Sequence, residues 1–378
     1  MQWLSQINQS NPDLWQKNEG FDYPFLSPEF LSALEDSRSI GGHSGWIAHY
    51  LSNSQSPAEQ EWVIPAFIKH HSYGEYVFDW SWANAYEQHG FDYYPKLLIA
   101  APFTPAMGPR GFSDNDLNLV NRLPEIEQHC AEEGLSSAHY LFANEEDQKI
   151  LNQSNWHKRE GVQFHWFNRN YTDFDHYLSH FKSRKRKTVK KERLSITQQK
   201  LAIKHKTGKE ITEEDWRFFY ACYQSTYLKR GMQGYLNQKA FELIAQSMPE
   251  QIILMIAYSN DSRPIACALY FKDSHTLYGR YWGCIEETPN LHFELCYYQG
   301  IDYCIKQGLK RFDPGTQGEH KISRGFEPVS TYSYHWIAHP DFSRAIGDFV
   351  REEAKHVQLY KQECQTHLPF NQQQPNSN

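Results

Sequence analysis

No Cys-x-x-Cys pair occurs in the 378 residues, and the seven cysteines (at 130, 222, 267, 284, 296, 304 and 364) are an odd, scattered set. That spacing argues against a zinc site or a disulfide framework. Several of the cysteines sit inside apolar patterns, as buried reduced thiols do. Long apolar runs are missing too. The longest, 97–103 and Ile252–Tyr258, fall far short of the ~20 residues that cross a bilayer, so no transmembrane segment is read. The first ten residues hold no basic stretch followed by an apolar one, so no secretory signal is read and a cytoplasmic location is expected. His70 and His71 are adjacent and would point to opposite faces of a strand, and His43 stands alone, so no metal site is read.

The chain also lacks an overall excess of positive charge. Its net charge is −7, yet residues 182–206 carry eleven Lys and Arg against the single acid Glu192, which makes that segment +10 and the rest −17. Such a segment is either a solvated helix or a local contact for a polyanion, and Lys185, Arg186, Lys190 and Lys191 are its candidate nucleic-acid contacts. Aromatic residues, by contrast, make up 15% of the chain, which excludes disorder and implies a packed, aromatic-lined interior.

The second half has the clearest order. Thr212-Glu-Glu-Asp opens a helix by capping logic, and a second helix is expected over 237–247. Three strand-like runs follow at Ile252–Tyr258, 265–272 and 276–283, separated by turn residues, which predicts an antiparallel meander. Asn290 then caps a helix that ends at Gly308, and a short strand at 310–313 leads into the loop 313–325. A strand at 332–338 and a helix at 340–367 close the chain.

The first half repeats this order more faintly. Strand-like runs at 45–51, 62–70 and 75–80 precede a helix-like run at 94–101, a Pro/Gly loop ending at Arg110, and strands at 138–143 and 162–168. We read two diverged copies of one unit, with the loops ending at Arg110 and Arg324 at matching places. The expected division is a lobe over 1–172, a basic linking helix in 173–208 and a second lobe over 209–378.

The loop concentrates chemistry. Gly315 and Gly318 allow tight turns, and successive N–H groups there form an anion nest to which Lys321 and Arg324 add charge. Glu319 and His320 are residue types that move protons near neutral pH. The bland alternative is a connection whose glycines only turn the chain and whose charges are solvated. Asp313, Gln317, Arg280, Trp282 and Tyr298 are candidate substrate contacts around this loop, with Glu294 as a further candidate catalytic residue one helical turn from Tyr298. Glu294 is equally a carboxylate favoured near a helix start, and Arg280 equally a partner for an acid across the sheet. Trp80 and Arg110 are the counterparts in the first copy, where aromatics are otherwise core.

The order helices–meander–helix–strand–loop resembles the GCN5-related N-acetyltransferase (GNAT) fold, and its doubling resembles the FemABX-type acyltransferases. More narrowly, His292-Phe-Glu-Leu-Cys-Tyr-Tyr-Gln299, Phe312-Asp-Pro-Gly-Thr-Gln-Gly-Glu-His-Lys321, Phe25-Leu-Ser-Pro-Glu-Phe-Leu-Ser-Ala-Leu-Glu35 and Thr104-Pro-Ala-Met-Gly-Pro-Arg110 are similar to the FemAB-like family labelled peptidoglycan biosynthesis/recognition. The resemblance implies an α+β fold of tandem duplicated GNAT-like domains, mixed central sheets flanked by helices. It implies transfer of an acyl or aminoacyl group to a small-molecule, peptide-linked or lipid-linked amine. No tightly bound cofactor is implied, and acyl-CoA or aminoacyl-tRNA is the donor substrate, with tRNA a possible partner. The junction Gly283-Cys-Ile-Glu-Glu-Thr-Pro-Asn290 is acidic and lacks the glycine-rich Arg/Gln-x-x-Gly-x-Gly/Ala loop that cradles the pyrophosphate in many acetyl-CoA users of the wider fold, which puts acetyl-CoA in doubt. The other class of reading is a non-catalytic binder of a cell-wall glycan or peptide, nucleotide or RNA on the same scaffold.

Overall fold

Apolar side chains run almost unbroken through residues 252–257 and 265–271, a pattern that suits strands covered on both faces. In the computed structural model, which describes residues 1–16, 22–113, 119–316 and 318–371, these segments form the middle of a sheet. The chain divides into two compact units: Met1–Val162 with Ser330–Leu359, and Gln163–Val329 with the residues from Tyr360 onward.

In the second unit Ala202–Thr207, Ile252–Tyr258, Pro264–Lys272 and Thr276–Cys284 pair antiparallel in that order. Two helices, Glu213–Leu228 and Gln238–Ser247, lie between the first two strands in sequence. The first opens on a Thr212–Asp215 capping box and the second on Asn237, whose side chain accepts the Ala240 N–H. After Thr276–Cys284 the chain forms one helical segment over 291–307 and returns as Arg311–Asp313, parallel to Thr276–Cys284. The helix stops at Gly308, which takes the left-handed conformation. Trp166 and Phe167 pair antiparallel with Phe312 and Arg311.

The first unit repeats that succession. Trp46–Ala48, Phe67–Lys69 and Lys96–Ile99 are antiparallel, and after the helix Leu119–Glu132 the strand Ser137–Tyr140 returns parallel to Lys96–Ile99. Residues 334–337 pair antiparallel with Ser137–Tyr140. A separate sheet of Gln2–Leu4, Tyr50–Ser52, Trp62–Ile64 and Phe112–Ser113 belongs to the same unit. The fold is thus α+β, with the same meander, crossover helix and parallel strand built twice.

Several expectations are corrected. Residues 75–80 are not a strand: Trp80 starts the helix Trp80–Gln88, after a left-handed Tyr76. The run 94–101 is the strand Lys96–Ile99 rather than a helix, because a short unbroken apolar run fits a fully buried strand as well as a helix segment. Strands 45–51 and 62–70 each split in two, and the halves enter different sheets. The basic helix is interrupted at 180–182, giving Phe174–Ser179 and Ser183–Gln198. Asn290 takes φ 64° without a side-chain cap, and its amide donates instead to Ser195 Oγ at 2.9 Å. Arg110 follows the meander strand Lys96–Ile99 whereas Arg324 follows the parallel strand Arg311–Asp313, so the two loops do not sit at matching places. The compact units also cut the chain differently from 1–172, 173–208 and 209–378. The first unit takes its closing strand, residues 334–337, from beyond its continuous stretch 1–162, and the limits of the units fall inside the strands His157–Phe167 and Glu327–Ile337.

Candidate functional site

Arg280 sits where the register of Thr276–Cys284 shifts. Leu269 pairs with Tyr281 and Tyr270 with Gly279, so Arg280 is the extra residue of a bulge. A bulge re-aims a side chain, and here the guanidinium reaches Asp313 Oδ2 at 3.2 Å, both groups being almost fully buried. Asp313 Oδ1 accepts the Gly315 N–H at 2.9 Å and lies 3.7 Å from His165 Nε2. Burial alone would raise the Asp313 pKa; Arg280, His165 and the Gly315 N–H outweigh it and hold the carboxyl below its usual range. Burial pushes His165 down to about 4. Asp313 is therefore an ionised anchor for the start of the loop.

The loop folds back on that anchor. Gly315 (φ 84°) and Gly318 (φ 117°) hold backbone conformations that L side chains rarely adopt, and a Cβ on Gly318 would lie 2.4 Å from the His320 ring. Residues Glu319–Arg324 form a 3-10 turn, which buries Lys321 and Arg324 while leaving Glu319 and His320 exposed. Lys321 Nζ donates to the carbonyl oxygens of Gly315 at 2.7 Å and Pro314 at 3.5 Å. Desolvation lowers its pKa to about 8, against the pull of Asp313. An ammonium has three N–H groups, so one is left over among the described residues.

His320 Nε2 is 2.7 Å from the Tyr297 hydroxyl, and its ring packs against Phe293 and His292. Desolvation, Arg324 and Lys321 all lower its pKa, which keeps the imidazole neutral at pH 7. His292 lies against Trp282 and is pushed down to about 4 by burial and by His320. Tyr297 and Tyr298 belong to a π-helical turn, Glu294–Tyr298, inside the segment 291–307. Such turns recur at functional sites because they redirect side chains. Here Tyr297 meets His320, while Tyr298 donates to Glu192.

Around this core the carboxylates are largely matched. Arg324 pairs with Glu192 at 2.8 Å and stacks 3.5 Å over Phe293. Glu294 Oε1 accepts from Arg193 at 3.0 Å and from Gln299 at 2.7 Å, and Arg193 also reaches Asp302 at 2.7 Å. The buried Glu294 Oε2 has no hydrogen-bond partner among the described residues.

The structure thus assembles His320, Lys321, Asp313, Gly315, Gly318, Arg280 and Trp282 into one constellation, with Arg324, Tyr298 and Glu294 beside it. Glu319 turns outward and accepts from Tyr360 OH at 2.9 Å. Gln317 lies outside the described residues. The four basic residues have different surroundings. Lys185 lines a pocket with Arg324, Arg186 donates to the Ser179 carbonyl at 3.5 Å, Lys190 pairs with Asp175 at 2.7 Å, and Lys191 is exposed. In the first unit, Trp80 is 40% exposed and packs on Tyr73. Arg110 is buried, and its donors go to the carbonyls of Leu141, Ala106, Phe142 and Pro109, which makes it a clamp on its own loop.

Sequence reasoning missed Tyr297, Glu192, Arg193 and His165. Glu192 left a signal, since it is the one acid in a +10 segment and is the partner of Arg324. Among the described residues no group of three or more His, Cys, Asp and Glu is placed to hold a metal, and no helix is long and apolar enough to cross a membrane.

Solved structures share this fold at low sequence identity. FemX is 12% identical, with 92% of this chain and 100% of that chain covered at a TM-score of 0.52. L-PGS from Bacillus licheniformis is 9% identical, with 85% and 96% covered at the same TM-score. The C-terminal domain of a putative lysylphosphatidylglycerol synthetase from Agrobacterium fabrum is 8% identical, with 89% and 96% covered, again at 0.52. No curated protein matches the sequence. The model of the FemAB-like family, described as peptidoglycan biosynthesis/recognition, matches residues 5–372. The chain belongs to the FemAB-like family.

Proposed function

We propose that the chain is an N-acyltransferase that passes an activated acyl or aminoacyl group to an amine of a peptidoglycan-type or lipid-type precursor, with its reaction centre at His320 and Lys321. The observation that carries this reading is the pairing in one turn of an exposed, neutral imidazole with a buried ammonium that has an N–H to spare.

With His320 Nε2–H donating to the Tyr297 oxygen, Nδ1 keeps a lone pair that can take a proton. The amine nitrogen attacks the carbonyl carbon of the donor ester or thioester, forming the C–N bond while His320 takes the amine proton. Negative charge collects on the carbonyl oxygen, where Lys321 stabilises it in a poorly solvated position. Collapse of the intermediate breaks the bond to the leaving alkoxide or thiolate, which receives the proton from His320. Asp313 and Arg280 act as positioning residues for Lys321, since they fix the Pro314 and Gly315 carbonyls that hold its ammonium. The family description and the shared fold of FemX and the lysylphosphatidylglycerol synthetases support acyl transfer in cell-wall or lipid synthesis.

The test is mass spectrometry of amine-bearing peptidoglycan precursors and aminolipids incubated with the full chain and acyl thioester or aminoacyl ester donors. A mass gain equal to the acyl group, lost in His320→Ala and Lys321→Met with the fold intact, is expected. Wild-type turnover in both variants sinks the assignment, and binding of precursors without any transfer leaves only a recognition protein.

A further inference from the structure

A pocket of about 380 Å³ in the second unit plays no part in the proton transfers above. Its walls include Arg184, Lys185 and Thr188 from the first turns of Ser183–Gln198, with Glu192 further along that helix, and Ser323 and Arg324 from the turn after the loop. Three cations face one carboxylate, and that carboxylate is already engaged by Arg324 at 2.8 Å and by the Tyr298 hydroxyl. The pocket therefore carries uncompensated positive charge.

Three further features concern donors. The side chains of Arg184 and Lys185 make no ion pair or hydrogen bond among the described residues. Arg324 is 6% exposed, and its Nε is buried without a hydrogen-bond partner. Its guanidinium is held in place by the stack on Phe293 and by donation to the His320 carbonyl at 2.8 Å, so Arg324 gives the pocket a fixed positive charge. Lys182, at the N-cap of the 16-residue helix, provides no side-chain cap, which leaves the positive end of the helix dipole at the pocket. A fixed guanidinium, two unpaired cations and an uncapped helix start call for an acceptor-only, multiply charged group.

We propose that this pocket binds the phosphate group of a phosphorylated ligand. The binding itself stands independently of the reaction. Its role as the handle that places one substrate beside His320 and Lys321 rests on the transferase reading. The phosphate can come from a nucleotide-carried donor or from a lipid diphosphate acceptor.

Isothermal titration calorimetry of the full chain with inorganic pyrophosphate tests the site, with adenosine 3′,5′-bisphosphate and farnesyl diphosphate as arms for the two sources. Wild type binds pyrophosphate, and the double variant Arg184→Gln/Lys185→Gln weakens it at least tenfold while leaving the thermal midpoint unchanged. Tighter binding of the bisphosphate assigns the pocket to the donor, and tighter binding of farnesyl diphosphate assigns it to the acceptor. Lys321→Met, which removes the proposed transfer, keeps the pyrophosphate affinity within twofold. No pyrophosphate binding by wild type, or equal affinity in the double variant, overturns the inference. Intact pyrophosphate binding with no transfer in any assay overturns the transferase reading and leaves the pocket standing.

Discussion

Lys96 in the first unit and Lys321 in the second are both buried, and they are held in opposite ways. In the first unit Lys96 is fully enclosed and donates to Glu75 at 2.8 Å, Asp79 at 2.5 Å and Ser72 at 2.8 Å. Desolvation works against its charge, but the two carboxylates outweigh it and raise its pKa. The network continues through Tyr93 to Asp79 and His139, and from His139 to His335. In the second unit the Lys321 ammonium donates, among the described residues, only to backbone carbonyls, and desolvation lowers its pKa to about 8 against the through-space pull of Asp313. Lys96 has spent all three donors on neighbours, whereas Lys321 has charge and an N–H left for a ligand.

The largest effect that sharpens this contrast falls on stability. Lys96→Met strands the Glu75 and Asp79 carboxylates in the interior and should cost about 3–5 kcal/mol, read by urea unfolding, whereas Lys321→Met removes a desolvated charge and should cost far less. Equal losses would break the comparison. On turnover the order reverses. Lys321→Met should slow acyl transfer by ~10²–10³-fold, the cost of losing one oxyanion donor. His320→Ala should slow it by ~10²-fold or more, with Tyr297→Phe costing less because it loosens the imidazole without removing it.

The pH profile comes next. His320 works as a base once deprotonated, and its pKa lies below 6.5, so the rate should rise with pH and level off below neutrality. Lys321 works as a cation, so the rate should fall as pH passes about 8. A steady-state profile of kcat/KM checks both limbs, and Lys321→Met should erase the alkaline one. The smallest effect is expected at Lys190, whose pair with Asp175 is exposed. Lys190→Gln should leave both turnover and the urea midpoint unchanged within error.

Much of the second unit was legible because its signals are local. Thr212–Asp215, Asn237 and Gly308 mark helix ends, and turn residues separate three apolar strands. The loop with Asp313, His320 and Lys321 was legible by composition. The first unit hid its order, since 96–99 carries no period that separates a buried strand from a helix, and Trp80 looked like a strand aromatic until the helix Trp80–Gln88 placed it. Partnership was the least legible property. Nothing adjacent to Glu319 in sequence reveals that Tyr360 holds it outward, and nothing near Arg280 reveals that a bulge delivers it to Asp313. The Lys96 network went unseen because its carboxylates, at 75 and 79, come from the irregular stretch first read as a strand.

The most direct test of the account is the rate of acyl transfer by Lys321→Met, measured beside its urea midpoint and beside the same pair of values for Lys96→Met. The account predicts transfer lost with the midpoint kept for Lys321→Met, and the midpoint lowered for Lys96→Met. Transfer at the wild-type rate by Lys321→Met would contradict it.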